Sequence, residues 1–461
     1  VDGEIRRAIE VSGQNDTHIT RSVVKFVGNL RTESLSVEVL HECDRAFTNA
    51  VGCVVGGARH QLVDVASNAL VEFGGSPAAS ALGRGVRTDV LTAALLNGLA
   101  GAAYSFDDTY SDALLHPSVP LVAALLPLAE RTPINGKEFR AAFAAGMEVA
   151  CRLTKAVATS PAEPEMAWSQ TGIVCGIAVA LASGKLMGLS EDALGWAAGI
   201  AASEAAGTRA THGSMAASLI FGRASQTGLR AAFLAAQGFT GPSQPLEHRF
   251  GFARVFAKSA NLPALVDGLG ERFELMSNTY KPYPCGLVIH PAIDGVLQLK
   301  AARPVAARDV VRIKLVVSPA AVKFGFRPDP IDDLEAKVSL HHWIAVALSR
   351  GKAGLAEGTK QVVDEPEVRA LRAIIDVVED PAVSNDAAGV ELVLRSGDRL
   401  ATTVSHCIGS IQRPMTDAEL NAKCIDQATL VIGSERAHHL SHACWKLGSL
   451  EDVGLIARLA F

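Results

Sequence analysis

The chain has 461 residues, with 43 Lys+Arg against 48 Asp+Glu for a net charge of −5, and 49% of it is hydrophobic with only 5% aromatic. That length exceeds one ordinary core, so two domains are expected, built from small aliphatic side chains. With the cations dispersed and no basic run, nucleic acid is not the expected partner, and no apolar run is long enough for a membrane span.

Residues 1–16 read as a polar extension without the apolar core of a signal peptide. From there the apolar residues recur at three- and four-residue spacing. This predicts helices over 35–55, 86–103, 139–157, 171–186, 191–206 and 221–237. Several are rich in Ala and Gly on almost every face and must be buried on all sides, in a large core or between subunits, so a homodimer is expected. Near residue 280 the character changes. Val310–Val317 alternates like a half-buried strand, and 390–395 with 399–404 reads as a hairpin around Ser396-Gly397-Asp398. Between them, 335–348 and 365–378 read as helices, and helices return after Pro414-Met415-Thr416-Asp417. The expected organisation is a helical domain over 17–275, an α+β lid over 276–410, and C-terminal helices over 411–461 that rejoin the helical domain. The fold class is mainly α with an α+β lid.

The eight cysteines show no CxxC and sit in apolar contexts, which fits a reducing, cytoplasmic setting better than a disulfide framework. His438-His439-Leu440-Ser441-His442 has helical His-x-x-x-His spacing but no Glu of the metalloprotease pattern. It reads as a helix-surface cluster, and no metal is expected.

The most informative segment is Ser105-Phe106-Asp107-Asp108-Thr109, followed by His116-Pro117. Two carboxylates, a hydroxyl and an imidazole gather where an apolar helix runs out. An isolated Asp-Asp-Thr would read as a helix cap. Other motifs reverse that preference: Gly238-Phe-Thr-Gly-Pro242 with Gly251-Phe252, Lys281-Pro-Tyr-Pro-Cys285, His290-Pro-Ala-Ile-Asp294, Ala336-Lys-Val-Ser-Leu340 and Pro414-Met-Thr416. In order and spacing these segments resemble the MmgE/PrpD family, which includes 2-methylcitrate dehydratase, cis-aconitate decarboxylase and an iminodisuccinate epimerase. The resemblance implies a helical main domain, an α+β lid, an active site in the cleft between them, a homodimer, and no metal or organic cofactor.

The chain also departs from the family pattern. Ser105 stands where the motif has its first Asp, and Ser169-Gln-Thr-Gly172 where His-Pro-Thr-Gly is usual. Ala217 and Ile220 replace the lysine and histidine of Gly-Ser-x-x-Lys-x-Leu-His-x-Gly.

His116 is the candidate base, since a neutral imidazole can remove a proton beside a carboxylate near neutral pH. Lys281, braced by Pro282 and Pro284, is the candidate cation for a substrate carboxylate or an enolate, and Asp108 completes the catalytic set. Asp107, Thr109, Ser105, Ser169, Tyr283 and Cys285 are candidate substrate contacts, although a buried Cys285 is more often inert. Arg209, His212 and Arg223 are candidates to replace the lost positive charge. His290 reads as a core histidine, and His341-His342 as surface or packing residues.

The expectation is a cofactor-independent lyase acting on a small carboxylic acid, by dehydration or decarboxylation. An epimerase using the same proton removal is the second hypothesis. A non-catalytic ligand-binding protein on the same fold is the third.

Overall fold

A computed structural model describes residues 18–110, 113–158 and 167–461. The extension expected over 1–16 lies outside the described residues. The chain forms two hydrophobic cores. The first is built by α1 (Ile19–Asn29), α2 (Val37–Gly57), α3 (Gln61–Leu70), α4 (Val90–Ala102), α5 (Ser118–Arg131), α6 (Gly136–Val157), α7 (Gln170–Leu186), α8 (Glu191–Ser203) and α9 (Ala216–Ala236). Polar side chains start most of them in sequence-legible places: Ser36, Asp89, Asn135, Ser169 and Ser190 each accept a backbone N–H of the first turn.

Two short antiparallel ladders were not expected from the periodicity. β1 (Ala79–Ala81) pairs with β2 (Val86–Thr88), so the helix expected from 86 begins only at Val90 behind the Asp89 cap. β3 (Asp108–Tyr110) pairs with β4 (Asn278–Tyr280) across the chain. Among the described residues, no parallel strand pair lies before residue 310.

The second core holds α10 (His290–Ala302) and α11 (Leu340–Arg350) against a four-stranded sheet. Its strands are β5 (Val310–Val317), β6 (Ile375–Glu379), β7 (Ala388–Leu394) and β8 (Arg399–Val404), in the order β6-β5-β7-β8. β5 and β6 run parallel and the other neighbours antiparallel. Two helix expectations are corrected here. The helix over 365–378 stops at Arg372, and Ile375–Glu379 becomes a strand because its β-branched run fits the ladder on β5. The helix over 335–348 is broken at 337–339, where Ser339 accepts the His342 N–H at 3.0 Å and restarts the chain as α11. The chain then returns to the first core through α12 (Asp417–Ile432) and α13 (Ser434–Trp445), which pack on α2.

Every residue of α7 from Gln170 to Gly184 is buried within one chain. For this helix the missing polar face therefore gives no reason for a second copy. The close packing depends on particular glycines. A Cβ on Gly222 of α9 would lie 2.3 Å from the Leu95 carbonyl oxygen of α4, and one on Gly228 2.4 Å from the Gly176 carbonyl of α7. These contacts fix where α9 presents Ala217, Ile220 and Phe221. No helix among the described residues is long and apolar enough to cross a membrane.

Gly222→Ala is expected to destabilise the protein by about 1–3 kcal/mol through overpacking. Gly195→Ala, at a helical site with open space around its Cβ, should instead be neutral or stabilise by up to about 1 kcal/mol. Denaturant unfolding of the two variants checks the contrast.

Candidate active site

The site begins where α4 ends. Ser105 turns the chain with φ +49°, and the strand that follows alternates its side chains between two sides. Asp107 and Thr109 line a cavity of about 170 Å3 between the two cores. Asp108 and Tyr110 point into the interior, where the Tyr110 hydroxyl donates to Glu274 at 2.9 Å. The β3–β4 register sets Asp108 opposite Tyr280 and Thr109 opposite Thr279. One step beyond the ladder, Lys281 meets Asp107, with Nζ 2.8 Å from Oδ1 and both side chains buried.

His116 is returned to the same strand by backbone hydrogen bonds between Tyr110 and Leu115. Leu114, with φ +52°, makes that return. Ser105 and Leu114 are the only non-glycine residues with positive φ among the described residues, and both line the cavity. Such backbone strain persists only where the surroundings over-determine it. The His116 ring stacks on Phe221, centroids 5.7 Å apart. Its Nδ1 lies 2.7 Å from the Asp108 carbonyl oxygen, 3.2 Å from Thr109 Oγ1 and 3.5 Å from Asp107 Oδ2. A carbonyl oxygen only accepts, so Nδ1 carries the proton and Nε2 keeps its lone pair.

Electrostatics support this protonation state. Burial, and then the Lys281 charge, push the His116 pKa down to about 4, against the opposing pull of Asp107. Burial alone would raise Asp107, but Lys281 and His116 more than offset it and hold the carboxyl below its usual range. Burial and the adjacent Asp107 push Asp108 up to about 6. Its carboxylate accepts from Asn278 Nδ2 at 2.9 Å and from the Ser118 N–H at 3.4 Å. Asp107 Oδ2 is buried with no hydrogen bond, leaving it free to stabilise a proton arriving on the imidazole.

Of the other sequence candidates, Ser105, Ser169, Arg209 and His212 also line the cavity. Ser169 does so while capping α7. Arg209 donates one Nε hydrogen bond to the Trp168 carbonyl at 3.1 Å. Burial and then Arg209 lower the His212 pKa, which favours its neutral form. Three candidates stand outside the lining. The Arg223 guanidinium is taken up by the carbonyls of Glu204, Gly172 and Ala206. The Tyr283 hydroxyl donates to Asp294, and Cys285 is fully buried with its thiol pKa raised by that burial. His290 is a buried core residue hydrogen-bonded to the Cys285 carbonyl at 3.3 Å. His341 and His342 are buried, not surface, residues, while His438, His439 and His442 are exposed. Among the described residues no group of three or more His, Cys, Asp or Glu could hold a metal ion.

This geometry can be set beside known proteins. The MmgE/PrpD N-terminal domain model matches residues 21–264 and the MmgE/PrpD C-terminal domain model residues 283–447. The chain belongs to the MmgE/PrpD family. It is 23% identical to human cis-aconitate decarboxylase over 457 residues, covering 96% of this chain and 94% of that protein. It is 25% identical to cis-aconitate decarboxylase of Aspergillus terreus over 463 residues, covering 94% of each. It is 23% identical to the cis-aconitate decarboxylase-like protein oryM of Aspergillus oryzae, covering 96% of this chain and 97% of that one. Similarity at this level spans both cores of the MmgE/PrpD fold.

Two lysines of this MmgE/PrpD site escaped the sequence reading. Lys337 lines the cavity from the break before α11, its Nζ 2.7 Å from the Ala103 carbonyl. Burial brings its pKa down to about 8. The Ala336-Lys-Val-Ser-Leu340 motif was the available signal for it. Lys423 of α12 carried none, being one lysine on one helix. Its buried ammonium donates to the carbonyls of Phe106 at 2.6 Å and Lys281 at 2.8 Å, and to Asn49 at 2.8 Å. It therefore ties the residue before Asp107 to Lys281 itself.

Lys423→Met should leave two buried carbonyls without that donor, at a cost of about 1–3 kcal/mol each. The expected result is a stability loss of about 2–5 kcal/mol in denaturant unfolding. Turnover should fall by about 10²-fold, as a misplacement near 1 Å would cause.

Proposed function

We propose that this protein is a cofactor-independent lyase-type enzyme that removes a proton from a carbon next to a carboxylate of a small acid. The observation that carries the reading is the His116 ring, which lines the cavity, donates from Nδ1 to the Asp108 carbonyl and so offers Nε2 as an acceptor. In the proposed step the proton moves from carbon to Nε2, and the electron pair delocalises into the substrate carboxylate. The new imidazolium gains the free oxygen of Asp107 as a counter-charge at 3.5 Å. Lys281, held by the other oxygen, meets the developing enolate-like charge, where a preorganised cation is worth most. In dehydration the electron pair then expels a hydroxyl group from the neighbouring carbon. In decarboxylation the C–CO2 bond breaks in place of the C–H bond, its electron pair delocalises toward a remaining carboxylate, and a His116 imidazolium that has taken its proton from solvent protonates the carbon. The decarboxylases among the similar proteins support the class of reaction but not the substrate.

Epimerisation is the second reading, and one observation favours it. His212 is a second imidazole on the cavity. In this reading His116 removes the proton and His212, having taken a proton from solvent, returns one to the same carbon. The eight cysteines, all buried and free, support our placing the enzyme in a reducing cytoplasm. A homodimer is proposed from the family resemblance.

A panel of small carboxylic acids incubated with the protein in deuterated water and followed by NMR tests the reading. Loss of water or CO2 supports the lyase and deuterium incorporation alone the epimerase. No change across the panel would overturn both. His116→Gln should lower the observed rate by about 10²–10⁴-fold, the usual worth of a positioned base.

The pH profile follows from the same charges. With its pKa near 4, His116 stays neutral as the pH falls through 6.5, where an ordinary imidazole would gain a proton and lose its basicity. Above about pH 8, Lys337 loses its charge, so kcat/KM should decline on the basic side. Lys423 also titrates near 8. Lys337→Arg separates the two: the basic limb should move upward if it belongs to Lys337 and stay if it belongs to Lys423.

A further inference from the structure

Among the described residues, four charged side chains line the cavity: Asp107, Lys281, Arg209 and Lys337. Lys281 and Asp107 are already paired at 2.8 Å. Arg209 and Lys337 have no carboxylate partner within ion-pair distance among the described residues. Each gives one hydrogen bond to a backbone carbonyl, to Trp168 and Ala103, and keeps its remaining donors. Behind the lining, the Asp108 carboxylate and the Lys423 ammonium are both buried and offset each other. The described lining side chains therefore sum to two positive charges, with Asp333 and Asp332 acting on Lys337 from outside the lining, and burying charge without an ion-pair partner is costly. A dianion would relieve that excess, whereas a trianion would overshoot it.

Part of the wall is apolar. Ile220 and Phe221 come from α9, Leu287 and Val288 from the segment after Lys281, and Phe324 and Val338 from the second core. Ile220 and Ala217 occupy the two positions where the family pattern has a histidine and a lysine. An acid with a carboxylate at every branch would leave charge against this wall.

Building on the lyase or epimerase reading above, we infer that the cavity selects a dicarboxylate bearing an apolar substituent. Arg209 and Lys337 receive its carboxylates, and the Ile220–Phe221 wall receives the substituent. The reacting carbon lies beside His116, whose ring rests on that same Phe221. The positive charge lost at position 217 is thus supplied by Arg209 from the turn before α9 and by Lys337 from the opposite core.

Calorimetric binding of three probes to the intact protein tests this without requiring turnover. The probes are 2-phenylsuccinate, unsubstituted succinate and the triacid propane-1,2,3-tricarboxylate. Phenylsuccinate is expected to bind at least about tenfold more tightly than either of the others, a difference of about 1.4 kcal/mol. Arg209→Met and Lys337→Met should each weaken phenylsuccinate by about tenfold or more. Arg209→Lys should recover part of the loss, while circular dichroism shows each variant folded. Ile220→His should reduce the preference for phenylsuccinate over the triacid. Tighter binding of the triacid, binding of none of the three, or an unchanged affinity in folded Arg209→Met would overturn the inference. Selective binding with no chemistry on any acid would refute the enzyme and leave the ligand class standing. Chemistry on triacids with no preference for phenylsuccinate would do the reverse.

Discussion

The three-residue ladder between Asp108–Tyr110 and Asn278–Tyr280 is the constraint on which the site depends. These segments are about 170 residues apart in the chain, and the ladder holds them at strand spacing. Because side chains alternate along a strand, the register decides more than proximity. It sends Asp107 and Thr109 to the cavity and Asp108 to the interior, and it places Lys281 one step past the ladder, against Asp107. A slip of one residue would put Asp108 in the cavity and bury Asp107 beside Asn278. Three interactions oppose that slip. Thr279 Oγ1 donates to the Thr109 carbonyl at 2.7 Å, Asn278 donates to Asp108 at 2.9 Å, and Lys423 grips the backbone on both sides.

Three of these charges are held where water cannot solvate them, and that explains their pairing. Asp107, Lys281 and Lys423 are each less than a tenth exposed. A charge there without hydrogen-bonding partners would be costly, and each is tied to such partners. Asp107 serves two: its Oδ1 holds Lys281 and its Oδ2 waits near His116. This arrangement separates the roles that the adjacent carboxylates suggested. Asp107 sets the charge of the site, while Asp108 orients the imidazole through its backbone carbonyl and anchors the strand through its carboxylate. Asp108, expected from the sequence to be catalytic, stands outside the cavity lining, with its carboxylate taken up by Asn278 and the Ser118 N–H.

What the sequence disclosed follows the physical range of each signal. Long helices with three- and four-residue periodicity were legible to within a few residues, because each turn repeats the same burial requirement. β5 and the β7–β8 hairpin were legible for the same reason at period two. The strand Ile375–Glu379 was missed because its five residues continue an apolar pattern begun in a helix, and only a neighbouring strand decides between the two. β3 and β4 are shorter than any period and carry no local signal. His116, Thr109, Asp107 and Lys281 could be found only through motifs, whereas Lys423 acts through backbone carbonyls and leaves no pattern in its own neighbourhood. Arg223 looked equivalent to Arg209 by sequence distance. The turn of α9 decides between them, since Arg223 faces the carbonyls that end α8 and start α7, and Arg209 faces the cavity.

The glycine contacts of α9 explain how the pocket can change while the fold does not. Gly222 and Gly228 lock α9 against α4 and α7 at backbone distance, so the helix cannot rotate to accommodate a new ligand. Within its first turns, Ala217, Ile220 and Phe221 reach the cavity, while Ser218 donates to the Ala102 carbonyl of α4 at 3.3 Å, so side chains on the cavity face can change while the helix stays in place. Ala217 and Ile220 leave that rigid wall without a charge of its own, and the lining cations Arg209 and Lys337 come from other elements. The segment that holds Asp107 and the helix that carries Ala217 and Ile220 thus belong to separate elements, and the second can vary without disturbing the Asp107–Lys281–His116 geometry of the first.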